Sequence, residues 1–344
     1  MALLFIDGFD HYATADITKK WTSAGATAVI GSTDGRRGGG AFKASLTGTS
    51  TTILTKTLTA SASWVLGFAI SVSALPSAAT TLAALLDAGS VQCDLRLNTD
   101  GTLSITRNGT ALTNGTSVTA LTTNTWYYIE FKVTIADSIS ASSCKARING
   151  VDAITVATSQ DTKATANASA NQVRLGTSNS SGMQFYIDDF YCCDQSGSVN
   201  NDFLGDCRID TLYPNADGNY SQFTPSTGST HYDLVDETAP NTTDYNESAT
   251  NGHRDSYAFQ NLSALVASTI HGLQVNVAAL KDDAGTRSAC AMVRSSSTDS
   301  DGATVALSTS QAYISQVWET NPNGSVAWTE SSVNAAEFGV KVAA

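Results

Sequence analysis

The sequence is poor in charge, and most of the charge that it has is negative. Asp, Glu, Lys and Arg supply 15% of the 344 residues, and 31 acidic residues against 19 basic ones give a formal net charge of −12. A field of this sign repels phosphate backbones, so nucleic-acid binding is excluded as a function class. The densest basic groupings are the pairs Lys19-Lys20 and Arg36-Arg37, which are typical of solvated loops.

Long hydrophobic runs are also missing. No apolar stretch approaches the roughly 18 residues that a membrane-spanning helix needs, so we expect no membrane partner. The first ten residues lack a basic segment, and Asp7 and Asp10 interrupt their apolar run. This pattern indicates a first β-strand rather than a secretory signal.

Cysteine is sparse, and no Cys-x-x-Cys pair of the kind that holds zinc occurs. The six cysteines can pair in about 15 ways, and the sequence leaves both the pairing and its occurrence open. A pairing between chains through Cys193 or Cys290 is one hypothesis. The candidates for disulfides are Cys93, Cys144, Cys192, Cys193, Cys207 and Cys290.

Residues with catalytic potential are few and scattered. Glu130 is the sole glutamate before Glu237, whereas a glycosidase needs two carboxylates that flank one bond. The four histidines show no metal-ligand spacing, and neither a nucleophile elbow nor a phosphate-binding glycine loop is present. We therefore predict no enzymatic activity.

Short stretches of alternating apolar and polar residues, separated by turns, are abundant. Residues 91–97 and 103–107 flank an Asp-Gly turn, and residues 145–148 and 153–156 flank an Asn-Gly turn, which predicts two β-hairpins. Further strands are predicted at 64–72 and 126–135. Short strands with frequent turns and no convincing amphipathic helix favour an antiparallel β-sandwich. One helix-like piece, Thr80–Asp87, is left open as a strand or a loop.

A polar, glycine-containing stretch at 195–202 predicts a linker between a first domain, 1–194, and a C-terminal β domain, 203–344, for assembly or anchoring. The acidic loop at 233–255 is expected to contact a neighbouring subunit. Strands in the second domain are predicted at 207–212, 255–259, 270–279, 287–293, 312–317 and 337–342.

Two adjacent aspartates, Asp188 and Asp189, lie in the predicted last strand of the first domain. Successive side chains of a strand point to opposite faces, which predicts that these two carboxylates cannot act as a pair. The favoured interpretation is that they finish a strand. The alternative is structural Ca²⁺, bound by one of them with Asp7 or Asp10, because first and last strands of such sandwiches often lie together and calcium needs several oxygens. No other cofactor is expected.

Carbohydrate binding requires an exposed aromatic platform, although aromatic residues in strands mostly fill cores. The candidates for such a platform are Trp64, Tyr127, Tyr128, Tyr186 and Tyr191.

Several segments, in their order along the chain, carry a resemblance to known families. Residues 64–189 resemble the laminin-G-like, concanavalin-A-like jelly roll through a central Gly101-Thr102-Leu103 hairpin, the segment 123–130, the Ile148-Asn149-Gly150 hairpin and the closing residues 186–190. Residues 4–12, 200–206 and 255–259 are similar to tailed-bacteriophage structural proteins, in which such a sandwich precedes a second, smaller β-sandwich domain.

The resemblance implies a noncatalytic virion component, a capsid decoration, fibre or tail protein, that is assembled in the host cytoplasm and displayed on the particle surface. Other virion proteins are the implied partners, and a homotrimer the implied oligomer. The alternative hypothesis is a lectin-like adhesin that binds host surface glycan.

Overall fold

A computed structural model describes residues 2–46, 52–137, 142–156, 160–177, 182–263 and 268–343. The chain divides into two compact units, Met1–Ile209 and Asp210–Ala344. The division falls beyond the predicted linker at 195–202, because backbone amides of residues up to 209 are hydrogen-bonded to side chains of the first unit. The first unit is thus longer than the predicted domain of 1–194.

The strands of the first unit are numbered in chain order. They are β1 (Leu3–Asp7), β2 (Ser23–Ala24), β3 (Val29–Gly31), β4 (Ala41–Ser45), β5 (Thr52–Ser61), β6 (Ser63–Val72), β7 (Thr80–Asp87), β8 (Ser90–Leu97), β9 (Thr102–Arg107), β10 (Thr110–Ala120), β11 (Trp126–Thr134), β12 (Ser143–Ile148), β13 (Val151–Val156), β14 (Ala170–Thr177) and β15 (Gln184–Cys193).

These strands form two antiparallel sheets. The first sheet has the order β13-β12-β11-β6-β15-β4-β3, with β1 paired to β15, and the second has the order β10-β9-β8-β7-β14-β5-β2. Strands distant in sequence are neighbours in space, as in β6 between β11 and β15, which is the connectivity of a jelly roll. The predicted all-β, jelly-roll sandwich is confirmed, and so is the predicted meeting of the first and last strands.

The predicted hairpins are present, and backbone geometry explains the Asn-Gly turn. Asn149 and Gly150 both have positive φ, 50° and 77°, as a two-residue turn between right-twisted strands requires. The helix-like piece Thr80–Asp87 is the strand β7, which lies inside the second sheet and is buried along nearly its whole length. Because both faces of β7 are buried, its sequence shows no alternation.

The second unit is also β-rich, and its strands continue the numbering. They are β16 (Pro214–Ser221), β17 (Thr224–Pro225), β18 (Asn246–Glu247), β19 (Arg254–Phe259), β20 (Leu273–Ala279), β21 (Ser288–Ser295), β22 (Thr298–Asp301), β23 (Val305–Ala306), β24 (Ala312–Trp318) and β25 (Glu337–Val342).

A main sheet of the order β16-β19-β25-β21-β22, with β23 beside β21, forms one layer of the second unit. The β20–β24 ladder forms the other layer, because its Val275 and Ile314 share a core with Val293 of β21 and Phe338 of β25. This is the smaller second β-sandwich that was predicted. The predicted strand at 207–212 is wrong, since no strand is formed there.

Helices are short in both units. The 3₁₀ turn Thr14–Asp16 leads into α1 (Ile17–Lys20), and the second unit has the 3₁₀ turn Tyr232–Leu234 and α2 (Glu330–Asn334). Within the described ranges, no helix is long and apolar enough to cross a membrane.

Candidate functional site

A row of side chains from neighbouring strands crosses the outer face of the first sheet. The register of the strands determines which of these side chains are neighbours. Alternate residues of β11 enter the core, which leaves Glu130 on the other face, opposite Arg147 of β12 and Gly67 of β6. Gly67 is paired in turn with Tyr191 of β15. A Cβ atom on Gly67 would lie 2.0 Å from the Tyr191 ring, so the glycine lets that ring cross the strand. The Tyr191 hydroxyl then donates a 2.6 Å hydrogen bond to Glu130 Oε1.

A β-bulge in β15 brings Asp188 and Asp189 to a common partner. The register with β6 shifts between Asp188 and Tyr191, and Asp189 adopts a left-handed φ of 51°. Asp188 Oδ2 accepts the backbone N–H of Arg36 at 2.8 Å, and Asp189 Oδ2 lies 3.7 Å from Arg36 Nη1. The predicted separation of the two carboxylates does not hold, because the bulge inserts an extra residue that breaks the alternation.

Burial changes the acidity of both aspartates. Burial, followed by repulsion from Asp189, raises the pKa of the Asp188 carboxyl to about 7. Burial also raises the pKa of Asp189, although a hydrogen bond from the Ile209 amide and the charge of Arg36 oppose this. At neutral pH the aspartate pair therefore holds a proton for part of the time.

Residues 202–209, which we call the strap, run across this face of the sheet. Three backbone amides of the strap donate to sheet side chains: Leu204 to Tyr191 Oη (3.1 Å), Gly205 to Glu130 Oε1 (2.8 Å) and Ile209 to Asp189 Oδ1 (2.8 Å). Asp206 accepts two hydrogen bonds from the Arg36 guanidinium, at 2.5 and 2.7 Å. The strap is thus held mainly by polar contacts.

The cluster beneath the strap is closed to solvent. Tyr128 and Glu130 are fully buried, and Tyr191 is 1% exposed. Burial raises the pKa of both tyrosines well above the ordinary value, and it raises the pKa of the Cys207 thiol in the strap to about 12. Among the described residues, Glu130 Oε2 and Asp189 Oδ2 find no hydrogen-bond partner. The strap therefore leaves two buried carboxylate oxygens unsatisfied.

A pocket of about 250 Å³ adjoins the start of the strap, on the same face of the sheet. Lys132 of β11 lies opposite Lys145 of β12 in the sheet register. The guanidinium of Arg147 lies 4.3 Å from the centre of the Phe203 ring. The pocket is lined by Lys132, Ser143, Cys144, Lys145, Arg147, Thr155, Asp202 and Phe203.

Two aspartates partly neutralise these cations. Lys132 pairs with Asp202 at 3.0 Å, and Lys145 and Arg147 both pair with Asp152, at 2.5 and 2.8 Å. All three pairs keep at least a quarter of each side chain exposed. The cations can therefore exchange these partners for a ligand at little cost.

The four predicted calcium ligands are divided between two places. Asp7 is fully buried in a separate cluster, where it accepts hydrogen bonds from Lys20, Trp21, Tyr12 and the Phe9 amide. Asp10 accepts the Gly40 amide at 2.6 Å, and its negative charge is among the causes that raise the pKa of Asp188. Within the described part of the chain, no group of three or more His, Cys, Asp or Glu side chains is arranged to hold a metal ion.

All six cysteines are free thiols, and five of them are buried. The pKa of the Cys93 thiol is raised well above its usual range, first by a hydrogen bond with Cys144 and then by burial. Cys144 is also the one cysteine that lines the pocket. Pairing between chains through Cys193 or Cys290 stays a prediction.

The five aromatic residues predicted as a platform do not form one exposed surface. Trp64, Tyr128 and Tyr191 are at most 1% exposed, while Tyr127 and Tyr186 are half-buried. Trp64 fills the core end of β6, whereas Tyr128 and Tyr191 lie under the strap. The aromatic ring at the pocket is Phe203, which the sequence reasoning did not single out.

Sequence reasoning also missed Arg36, which was assigned to a solvated loop, and the basic residues of β12. A signal for the latter existed. The alternation of residues 126–135 and 145–148 places Glu130, Lys132, Lys145 and Arg147 on one face of a β-hairpin. Nothing in the sequence indicated that residues 202–209 return to that face.

Comparison with known proteins gives a likeness of fold. No family model matches the chain, and no curated protein matches it. Among solved structures, the alginate lyase Aly36B is 13% identical with a TM-score of 0.41, and the match covers 53% of this chain and 91% of that one. The cellulose-induced protein Cip1 is 14% identical, with a TM-score of 0.38 and coverages of 51% and 91%. A Trypanosoma rangeli sialidase is 9% identical, with a TM-score of 0.35 and coverages of 48% and 27%.

These findings correct two expectations. The interpretation as a phage structural protein is wrong, because the similar solved structures are alginate lyases, sialidases and Cip1 rather than virion proteins. The expectation of no enzymatic activity is contradicted as well: alginate lyases and sialidases are enzymes, so a fold of this kind does not exclude activity. At these identities the likeness concerns the fold, and the substrates of those proteins are not transferred to this chain.

Proposed function

We propose that the first unit binds glycan at the pocket on the outer face of its first sheet. The observation that carries this proposal is the convergence of Lys132, Lys145 and Arg147 on one pocket, in a chain whose net charge is −12. Lys132 and Lys145 lie directly opposite each other, and like charges in that position destabilise a sheet. Asp202 and Asp152 offset this repulsion in part, since two carboxylates face three cations. A ligand with carboxylate or hydroxyl oxygens could supply the remaining acceptors.

The lining has the chemistry that sugars require. Each lysine ammonium has three donors and uses one of them on an aspartate, so donors remain for sugar hydroxyl or carboxylate oxygens. Ser143 and Thr155 add hydroxyl groups, and Asp202 adds an acceptor. The Phe203 ring, with the Arg147 guanidinium and the Lys132 ammonium 4.3 and 5.8 Å from its centre, adds an apolar surface that the C–H face of a sugar ring would share with these cations.

A glycan array of neutral and acidic oligosaccharides, followed by calorimetric titration of the strongest binder, tests this proposal. Because a hydrogen bond to a charged group contributes about 1.5–3 kcal/mol, Lys145→Gln is expected to weaken binding about tenfold or more.

Lys163→Gln is the matched control. Lys163 is a similarly exposed lysine in an ion pair with Asp137, and it does not line the pocket. Failure of the whole array, or equal affinities for the two variants, would refute the proposal.

A further inference from the structure

The strap occupies its place on the sheet in the way that a polar ligand would. Its amides donate to Glu130, Tyr191 and Asp189, and sugar hydroxyls could make the same three donations. No strand pairing holds the strap, since none of its residues is in a β-ladder. The contacts are therefore of a kind that a sugar can replace one by one.

The Asp206 carboxylate makes the most specific of these contacts. Its two oxygens meet the two terminal nitrogens of the Arg36 guanidinium in a two-bond arrangement, which is the pairing by which arginine recognises carboxylates in general. The guanidinium also lies 5.7 Å from the centre of the Tyr128 ring. Because 42% of the Asp206 side chain is exposed, solvent screens the pair and an external carboxylate can compete for Arg36.

The strap leaves some hydrogen-bond acceptors on the face beneath it without donors. Among the described residues, neither Glu130 Oε2 nor Asp189 Oδ2 accepts a hydrogen bond although both carboxyl groups are buried, and Arg36 Nη1 lies beyond hydrogen-bond distance of Asp189 Oδ2, at 3.7 Å. Buried acceptors without partners are costly. A ligand with more hydroxyl donors than the strap would therefore satisfy this face better than the strap does.

The strap and the pocket are continuous. Asp202 and Phe203 begin the strap and also line the pocket, and Glu130 beneath the strap lies opposite Arg147 of the pocket in the sheet register. An oligosaccharide bound in the pocket would thus reach the strap from its first residue.

We propose that the face beneath the strap, formed by Arg36, Tyr128, Glu130, Asp189 and Tyr191, is a second subsite that takes a carboxylate-bearing sugar, and that the strap fills it until such a ligand displaces the Asp206 carboxylate. This inference rests on the proposed function of the neighbouring pocket. It names an acidic glycan as the ligand class.

Calorimetric titration with a uronic-acid tetrasaccharide, and with its carboxyl-reduced neutral counterpart, tests the proposal. Asp206→Asn weakens the hold of the strap on Arg36, so we expect about tenfold tighter binding of the acidic tetrasaccharide and little change for the neutral one. Arg36→Lys in the Asp206→Asn background should abolish the gain, because a lysine cannot form the two-bond arrangement. Asp137→Asn, in an exposed pair with Lys163, is the matched control and should leave the affinity unchanged.

Two further measurements keep the test informative if one variant folds poorly. Gly205 has a φ of 88° and open space around its Cβ position, so Gly205→Ala strains the strap backbone without a clash and should also tighten binding. In the wild-type protein, hydrogen exchange at the amides of Leu204, Gly205 and Ile209 should quicken when the acidic tetrasaccharide is added.

The outcomes separate the two proposals. If the tetrasaccharide binds with Lys145-dependent affinity but the strap variants and the exchange rates do not respond, the pocket stands and the second subsite is refuted. If no variant binds either tetrasaccharide and the glycan array is also negative, the proposed function fails and the subsite fails with it.

Discussion

Substitution of Asp188 by asparagine should remove a pH-dependent loss of stability from the first unit. The Asp188 carboxyl has a pKa of about 7 in the folded protein against an ordinary value of 3.8. The folded state therefore retains a proton that the unfolded state releases. Between these two pKa values the unfolded state binds fewer protons, so the free energy of unfolding falls as the pH rises.

The size of the effect follows from the shift. At about 1.4 kcal/mol for each pKa unit, the difference sets an upper limit of about 4 kcal/mol, and relaxation around the carboxylate reduces this to about 2 kcal/mol. Asparagine cannot ionise, and its amide oxygen can accept one of the two backbone amides, of Arg36 and Asp189, that Asp188 accepts. The loss of the other hydrogen bond lowers the stability of the variant by an amount that does not depend on pH. The variant should gain stability relative to the wild type from about pH 4 to about pH 8.

Because the chain has two units, a probe confined to the first unit is needed. Hydrogen exchange of peptides from β6 and β15, corrected for intrinsic exchange rates, supplies one. Burial lowers the pKa of His11 to about 3, and His11 destabilises both proteins equally as the pH falls, so its contribution cancels in the comparison. A difference between variant and wild type that stays constant over this pH range would refute the reasoning.

Three further substitutions or treatments test other parts of the structure. Gly67→Ala places a methyl group where the Tyr191 ring lies, so we expect a loss of about 1–3 kcal/mol in chemical unfolding of the first unit. Lys20→Met leaves the fully buried Asp7 carboxylate without its cation, which should cost about 3–5 kcal/mol, and Asp7→Asn in the same chain should recover part of it. The Cys207 thiol has a pKa of about 12, so it should resist alkylation in the wild-type protein, where the strap is held in place. It should react faster in the Asp206→Asn variant, whose strap is held less firmly, and peptide mass spectrometry measures both rates. Equal alkylation rates in the two proteins would contradict the account of the strap.

Most of the fold could be predicted from the sequence, because the patterns that indicate strands lie within short segments of the chain. Alternation and turn chemistry predicted β8, β9, β11, β12 and β13, since each depends on residues that are neighbours in the chain. The strand β7 was harder because burial on both faces removes alternation. Segment 207–212 has β patterning but forms no strand, because its two ends belong to different units: the Ile209 amide is bound by Asp189 of the first unit, and Leu212 packs against the core of the second.

The candidate site was harder to predict from the sequence than the fold, because it depends on contacts between residues far apart in the chain. The prediction for Asp188 and Asp189 assumed regular alternation, and the bulge that overturns it is set by the pairing of β15 with β6. Arg36 meets Asp206 across 170 residues of sequence. No local pattern reports such a pair. The virion location and the trimer came from the phage resemblance. Neither is tested by any observation of the structure, although the structural role that the same resemblance implied is contradicted.

The measurement that bears most directly on the central claim is amide chemical-shift mapping of the labelled protein with the strongest glycan from the array. Binding at the outer face of the first sheet predicts that the largest shifts occur at Lys132, Lys145, Arg147 and Phe203. Shifts confined to the second sheet or to the second unit would contradict it.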